Sequence, residues 1–414
     1  MKSFAMGLAA IGLAGTACAQ SSVTLFGVVD AGISGYSNRS EDAKSATPAN
    51  PFYRNQGSRT VSQRVLSNSG LASSRVGFRG TEDLGGGLAA SFWLESSITN
   101  DSGQEGIQSF ARRSTVSLSG GFGEIRLGRD INATFTNDFV FDPLGVNGVG
   151  VSLLYRAGTA MSKMGVPQAP QVPGNPPVSA VLTNAYARSS NMVAYFLPAN
   201  LGGFYGQVQY AFNEKNRTSP GVLTPAATDT RSGRFMGGRF GYEQGPLNVA
   251  VAFSRNTLLS DYLAGSTLRQ DTLNLGASYD LGMAKLFGEV TRIKNRTIVT
   301  GLASSTSATS SDVDLTGALF GVNVPVGPGV IRGSYARVRY DYNRPFNSTP
   351  DPKASQLALS YVHHLSKRTA LYASVARIDN KNGASLSVGG PAYVTGAFTP
   401  KRSTGYDFGL RHAF

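Results

Sequence analysis

Apolar and polar residues alternate with a period of two along most of this chain, and the alternating runs are separated by clusters of glycine, serine, asparagine and proline. That period belongs to strands with one apolar and one polar face. It predicts sixteen strands, at about 22–34, 73–81, 88–99, 110–119, 123–130, 189–198, 203–214, 233–243, 246–257, 269–280, 283–294, 312–323, 329–342, 354–365, 368–380 and 403–414. No helical period of 3.6 stands out beyond the first nineteen residues, so the predicted class is all-β. In the last run Tyr406, Phe408, Leu410, His412 and Phe414 share one face, and Asp407, Gly409, Arg411 and Ala413 share the other. Val116 and Leu118 likewise oppose Arg113, Thr115 and Ser117.

The connections also alternate. Short ones follow even-numbered runs, as at Glu82 to Gly87, Gly120-Gly121, Ala199 to Gly202, Gln244 to Pro246, Leu281-Gly282 and Ser366-Lys367, and long ones follow odd-numbered runs. A meander with one smooth and one looped end fits an antiparallel transmembrane barrel with an even number of strands, which closes on itself and leaves no edge in lipid. A β-sandwich alternates its faces too, but rarely needs sixteen strands with strictly alternating loops. The longest connection, 131–188, far exceeds the ~12–15 residues usual for a structureless loop, which marks it as functional. Its first part is aromatic and acidic, and Gly165 to Val178 is proline-rich and expected to be extended.

Composition narrows the class. With 41% hydrophobic and 15% charged residues the chain is too apolar to be disordered. Its net charge of +13 fits a nucleic-acid binder, a binder of acidic surfaces or an anion path. The first nineteen residues weigh against nucleic acid. Lys2, the apolar stretch Phe4 to Leu13 and the small residues Ala17-Cys18-Ala19 read as a signal peptide spanning 1–19, followed by one barrel domain over 20–414. A lipoprotein site at Cys18 is the alternative, although Gly15 stands where such sites carry leucine. Cys18 is the only cysteine, so the mature chain is expected to hold no disulfide and no cysteine metal site. No later stretch approaches the ~20 apolar residues of a spanning helix.

Candidate chemistry is sparse. His363, His364 and His412 are the only histidines; they flank turns or the apolar face, and no nucleophile, metal or phosphate-loop motif accompanies them. No catalytic residue, cofactor or metal is expected. The arginines are more telling. Arg75 and Arg79 oppose Val76 and Phe78, Arg113 opposes Val116 and Leu118, and Arg188 opposes Val193 and Tyr195, so parity points all four to the lumen. Clustered guanidiniums repel one another and resist deprotonation, an arrangement that favours a passing carboxylate, sulfate or phosphate.

The segments SSVTLFGVVDAG, SSRVGFRGTEDLGGGLAASFWLES, FARRSTVSLSGGFGEIRLGRD, HHLSKRTALYAS and GYDFGLRHAF, taken together, resemble the general porins of Gram-negative outer membranes, of the neisserial and betaproteobacterial type. The resemblance spans essentially the whole mature chain. It implies a 16-stranded barrel, three per assembly, each a passive pore narrowed by an inward-folded third external loop, here 131–188. It also implies a pore constriction with Arg75, Arg113 and Arg188 on the wall facing loop acids, for which Asp138 and Asp142 are the candidates; either acid can instead cap a turn, Asp142 before Pro143 above all. Phe414, Phe408 and Tyr406 match the terminal signal read by the barrel assembly machinery. The implied partners are two further copies, outer-membrane lipid and lipopolysaccharide, and small anions and hydrophilic solutes. The leading expectation is therefore an anion-preferring diffusion channel of the outer membrane. A channel selective for organic acids or sugars, an outer-membrane enzyme and a secreted sandwich module remain as alternatives.

Overall fold

The computed structural model describes residues 22–104, 106, 107, 109–164, 185–214, 231–261, 266–299, 312–342 and 350–414. The stretch 1–19, expected to be a signal peptide, and the proline-rich stretch 165–178 lie outside them. The strands are β1 (Ser22–Asp42), β2 (Ser58–Asn68), β3 (Arg75–Gly85), β4 (Leu88–Ser97), β5 (Arg113–Gly120), β6 (Gly123–Ile131), β7 (Arg188–Phe196), β8 (Phe204–Ala211), β9 (Phe235–Gln244), β10 (Leu247–Asp261), β11 (Ser266–Asp280), β12 (Lys285–Val299), β13 (Val313–Val326), β14 (Gly329–Tyr342), β15 (Lys353–His364), β16 (Thr369–Lys381) and β17 (Phe398–Ala413). Neighbours pair antiparallel, and β17 returns to β1, so the sheet closes. β2 and β3 occupy a single stave, with Val28 of β1 opposite Arg75 and Ala31 opposite Asn68. The barrel therefore has the sixteen staves expected from the alternation.

The largest difference lies between the first two predicted strands. β1 continues to Asp42 and residues 58–68 form β2, where a loop was expected. Most β2 side chains are exposed whichever way they point, so no apolar face announces the strand. At the break between β2 and β3, Ser69 takes a φ of 68° and the chain steps inward. The Asp30 carboxylate holds that step, accepting from the Leu71 and Ala72 amides (2.8 and 2.6 Å) and from the Tyr372 hydroxyl (2.7 Å).

Outward positions carry an apolar belt, with Leu25, Val116, Phe240, Leu275, Phe320 and Leu359 all exposed, as a surface facing lipid requires. The inner face is polar along much of the wall. On β13 to β16, however, it turns apolar, at Leu315, Val338, Ala354, Ala376 and Ile378, and these residues are buried. Part of the connection between β6 and β7 covers them. That connection holds two helices the periodicity did not predict, α1 (Ala133–Val140) and α2 (Leu153–Lys163). In α2 the buried residues Leu153, Leu154, Ala157 and Met161 share one face at helical spacing, and the Ser152 hydroxyl caps the start by accepting from the Leu154 amide (3.2 Å). Eleven residues ringed by glycines and prolines were too short a run to stand out.

Closure ends on the last residue. The Gly27 amide donates to the Phe414 carbonyl and the Phe414 amide to the Gly27 carbonyl, both at 3.1 Å. The Phe414 ring lies over Gly27, where a Cβ would stand 2.4 Å from Phe414 Cζ and 2.8 Å from the Arg75 carbonyl oxygen. Gly27→Val is therefore expected to displace the terminal ring, at a cost of ~1–3 kcal/mol typical of overpacking, and both it and deletion of Phe414 are expected to lower the yield of folded barrel. Heat-modifiable mobility in outer-membrane fractions checks both, and wild-type yields of either variant would contradict the contact's role.

Candidate functional site

Inside the barrel the loop and the wall of β3 to β7 enclose a cavity of about 660 Å³, into which Arg332 reaches from β14. Arg75, Arg112, Arg113, Arg188 and Arg332 line it, together with Glu95, Asp130 and Asp142. Arg75 opens β3, directly after the step held by Asp30, and its Nη1 donates to the Ser73 carbonyl (2.9 Å). Glu95 on β4 accepts from Arg112 Nε at 2.6 Å and stands 3.6 Å from Arg75 Nε. Arg113 stacks 4.5 Å over the Trp93 ring and lies 3.7 Å from Asp130. Asp130 is bound more closely by Arg126 (2.6 Å), whose fork also grips Glu124. Arg188 donates from Nε to the Arg112 carbonyl (2.9 Å) and lies 5.9 Å from the Phe135 ring. Arg332 Nε has no hydrogen-bond partner among the described residues. Five guanidiniums against three carboxylates leave the cavity positive.

The loop's face of the cavity is mainly aromatic and apolar, formed by Phe135, Phe139, Pro143, Leu144, Val146 and Tyr155. Its position is fixed by side chains of the wall that satisfy its backbone. Gln209 accepts from the Ala133 amide (2.8 Å), Asn274 donates to the Thr134 carbonyl (2.9 Å), Asn295 to that of Met161 (2.8 Å) and Gln356 to that of Val151 (2.8 Å). Asp407 accepts from the Val149 amide (2.6 Å) and from the Ser34 hydroxyl (2.5 Å). Arg156 of α2 then ties the Gly148 and Val149 carbonyls to that of Val388, in the connection between β16 and β17.

The structure brings Arg75, Arg113 and Arg188 around the same cavity. For Arg188 the parity itself does not hold, because a bulge with Asn191 at φ 58° interrupts β7; Arg188 reaches the cavity from the strand's first residue. Arg79 is not among the residues lining it, and stacks instead on Phe26 and Trp93 (5.4 and 5.1 Å). Of the two loop acids, Asp138 does not face the arginines, and Asp142 takes the turn-capping alternative. Asp138 is fully buried against the wall, where it accepts from the Tyr186 hydroxyl (2.8 Å) and from Asn274 (3.2 Å), with Glu289 beside it. Asp142, which lines the cavity, caps the turn by accepting from the Leu144 amide (2.8 Å), while its Oδ2 is buried without a hydrogen-bond partner among the described residues. The acids that face the arginines are Glu95 and Asp130, on the arginines' own wall.

Those two acids were legible by the same alternation, Glu95 opposing Phe92 and Leu94, and Asp130 opposing Leu127. Arg112 was not: in the expected run 110–119 it shares the parity of Val116 and Leu118, but β5 begins only at Arg113. The histidines sit at the rim: His363 contacts the Tyr361 hydroxyl (3.1 Å) and His412 the Thr369 hydroxyl (2.9 Å). Among the described residues no group of histidine, cysteine, aspartate or glutamate has the arrangement of a metal site.

A family model described as Gram-negative porin matches residues 5–383. Outer membrane porin protein 32 of Delftia acidovorans is 35% identical over the full length of both chains. The major outer membrane protein P.IA of Neisseria meningitidis serogroup C is 27% identical over 278 residues, covering 56% of this chain and 69% of that one. Among solved structures, an anion-selective porin from Comamonas acidovorans superposes with a TM-score of 0.71 at 34% identity, covering 95% of this chain and all of that one.

Burial pushes the Asp142 carboxyl up to about 7. It is mostly neutral below that pH and anionic above it, so raising pH from 6 to 8 adds negative charge to the cavity lining. Anion preference is expected to fall over that interval, by about threefold or less for one charge in a water-like dielectric. Asp142→Asn preserves the turn's acceptor and should flatten the dependence. Reversal potentials in a KCl gradient at pH 6 and 8 measure it, and an equal slope in both proteins would place the titrating group elsewhere.

Proposed function

Because the chain belongs to the Gram-negative porin family, and is by that membership an outer-membrane channel, we propose that it passes small hydrophilic solutes by diffusion and favours anions. The observation that carries the preference is the set of five arginines around one cavity, opposite a loop face that offers little negative charge. A dissolved anion arriving there exchanges some of its water for guanidinium donors. The partial neutralisation by Glu95 and Asp130 keeps that exchange shallow, which suits passage over retention. Beyond ~8 Å the chain's overall positive charge is screened at physiological salt, so the arginines of the narrow zone outweigh those in outer loops.

Assembly enters as part of the same reading. Val23 and Leu25 on β1 and Phe408 and Leu410 on β17 are all exposed; Phe408 lies opposite Ile33 of β1, itself exposed, while Val23 and Leu25 lie lower on β1, opposite Gly80 and Phe78 of β3. They support a contact between copies, and three per assembly is the number the family resemblance implies. Residues 1–19 are taken as the leader removed on export, and the terminal Phe414 with Phe408 and Tyr406 as the signal for insertion.

Two measurements test this. Replacing Arg75 and Arg113 with glutamine is expected to reduce the anion-to-cation permeability ratio by about three- to tenfold, since each charge at ~6 Å in water-like dielectric contributes ~0.7 kcal/mol. The same substitutions at Arg54 and Arg231, exposed outside the narrow zone, should change it little. Equal shifts in both double variants would mean that global charge sets selectivity, and a conductance that saturates in one organic acid would mark a substrate-selective channel. Under mild extraction the detergent complex should have the mass of three chains, and a reproducible single-chain mass would overturn the trimer.

A further inference from the structure

Four aromatic rings line the cavity, those of Trp93, Phe135, Phe139 and Tyr155. Three of them are engaged. Trp93 carries the Arg79 and Arg113 guanidiniums at 5.1 and 4.5 Å. Phe135 has Arg188 at 5.9 Å and the Tyr155 ring at 5.1 Å, and Tyr155 in turn has the Tyr186 ring at 6.1 Å. Phe139 has neither a ring nor a guanidinium over it among the described residues, and it is 53% exposed.

Lipid does not account for that exposure, because α1 lies inside the barrel. There Asn137 donates to the Ala250 carbonyl and to Asn274 Oδ1 (both 3.1 Å) and accepts from Arg239 Nε (2.5 Å). Asp138 is held by Tyr186 and Asn274. These bonds fix the roll of the helix, so Phe139 cannot turn toward the wall to be covered. Four residues separate it from Phe135, which places both rings on one side of α1 and about one turn apart. The loop thus presents a bare ring to the cavity, one turn from the ring that Arg188 approaches. Arg188 donates from Nε to the Arg112 carbonyl, and its two terminal nitrogens have no hydrogen-bond partner among the described residues.

We propose that, among the anions it passes, the channel favours aromatic carboxylates, with the carboxylate on Arg188 and the ring against Phe139. The proposal rests on the anion-preferring reading given above. A guanidinium fork takes a carboxylate through two parallel bonds. A flat ring bonded to that carboxylate extends beyond it by a length comparable with one helical turn (~5.4 Å), the separation of Phe135 from Phe139. Chloride and sulfate gain nothing from the bare ring, and a saturated carboxylate covers it without the offset or edge-to-face pairing of two aromatic systems. That pairing adds about two- to tenfold in affinity beyond the area it buries. Contact so weak slows an anion without retaining it, as diffusion through a pore requires.

The test records single channels of the full-length protein in planar bilayers bathed in KCl, with benzoate or cyclohexanecarboxylate added as blocker. The two share a charge and nearly a size, and only one is aromatic. In the wild type, benzoate is expected to half-block the current at a concentration about two- to tenfold lower. Phe139→Ala should bring the two half-blocking concentrations together, and Phe139→Tyr should preserve the difference. Phe52→Ala, at an exposed ring in an outer connection, should match the wild type. Equal block by both anions in the wild type, or a difference that survives in Phe139→Ala, would overturn the proposal. Loss of the difference in Phe139→Tyr as well would trace it to the packing of α1 and overturn the proposal too. Reversal potentials in a KCl gradient keep this result apart from the broader reading: anion preference with equal block removes only the aromatic site, whereas cation preference removes both.

Discussion

A stretch of chain brought inside a barrel loses the water that its peptide groups would otherwise bind, and the wall must replace it. Each peptide group buried without a partner costs about 1–3 kcal/mol, so a connection of this length stays inside only where acceptors and donors await it. Gln209, Asn274, Asn295, Gln356 and Asp407 supply them from separate strands, one or two bonds each. Amides suit the task because one side chain both donates and accepts, as Gln209 does toward Ala133 and Ile131. The helices then bury their apolar face on β13 to β16, and the open passage is left along the arginine-bearing wall. The position of the selective zone thus follows from where the wall can satisfy a backbone.

Within that zone, the number of arginines overstates the charge a solute meets. Arg126 is wholly engaged by Glu124 and Asp130, and Arg112 by Glu95. Trp93 holds Arg113 through its ring and Glu95 through its indole N–H (3.2 Å), so one aromatic side chain orders both signs of charge. Arg332, on another wall, has no hydrogen-bond partner at Nε among the described residues, and Arg188 donates from Nε only to a backbone carbonyl. With acids and bases mixed on one wall and aromatics opposite, the zone has a graded positive surface rather than two charged plates facing one another.

The barrel was legible because alternation is enforced twice on every strand, by lipid outside and by water or the loop inside. Where one of those demands lapses, the signal lapses with it. β2 lies at the level of the outer rim with polar residues such as Arg59, Gln63 and Arg64 on its faces, and nothing in its sequence distinguishes it from a loop. The arginines on regular strands, Arg75 and Arg113, were assigned by parity, whereas Arg112 and the loop acids lie outside strands, where parity has no meaning. Asp138 and Asp142 show the limit most clearly. Their charge suggested a partner of opposite sign, but burial led one to Tyr186 and Asn274 and the other to the Leu144 amide.

The seam between β1 and β17 has a consequence for the order of folding. Its pairs join residues near the two ends of the chain, from Val28 with Ala413 to Asp42 with Phe398. Contacts so distant in sequence are the slowest to find, because the entropy of closing the intervening chain is lost before any of them forms. Hairpins such as β11–β12 are complete within a few tens of residues, but the ring cannot close until β17 has been made. Until then the first and last strands present unpaired edges and a bare apolar face to an aqueous compartment, the condition under which chains aggregate. Covering those edges quickly is therefore a demand that this topology makes on assembly, independent of what the finished pore transports.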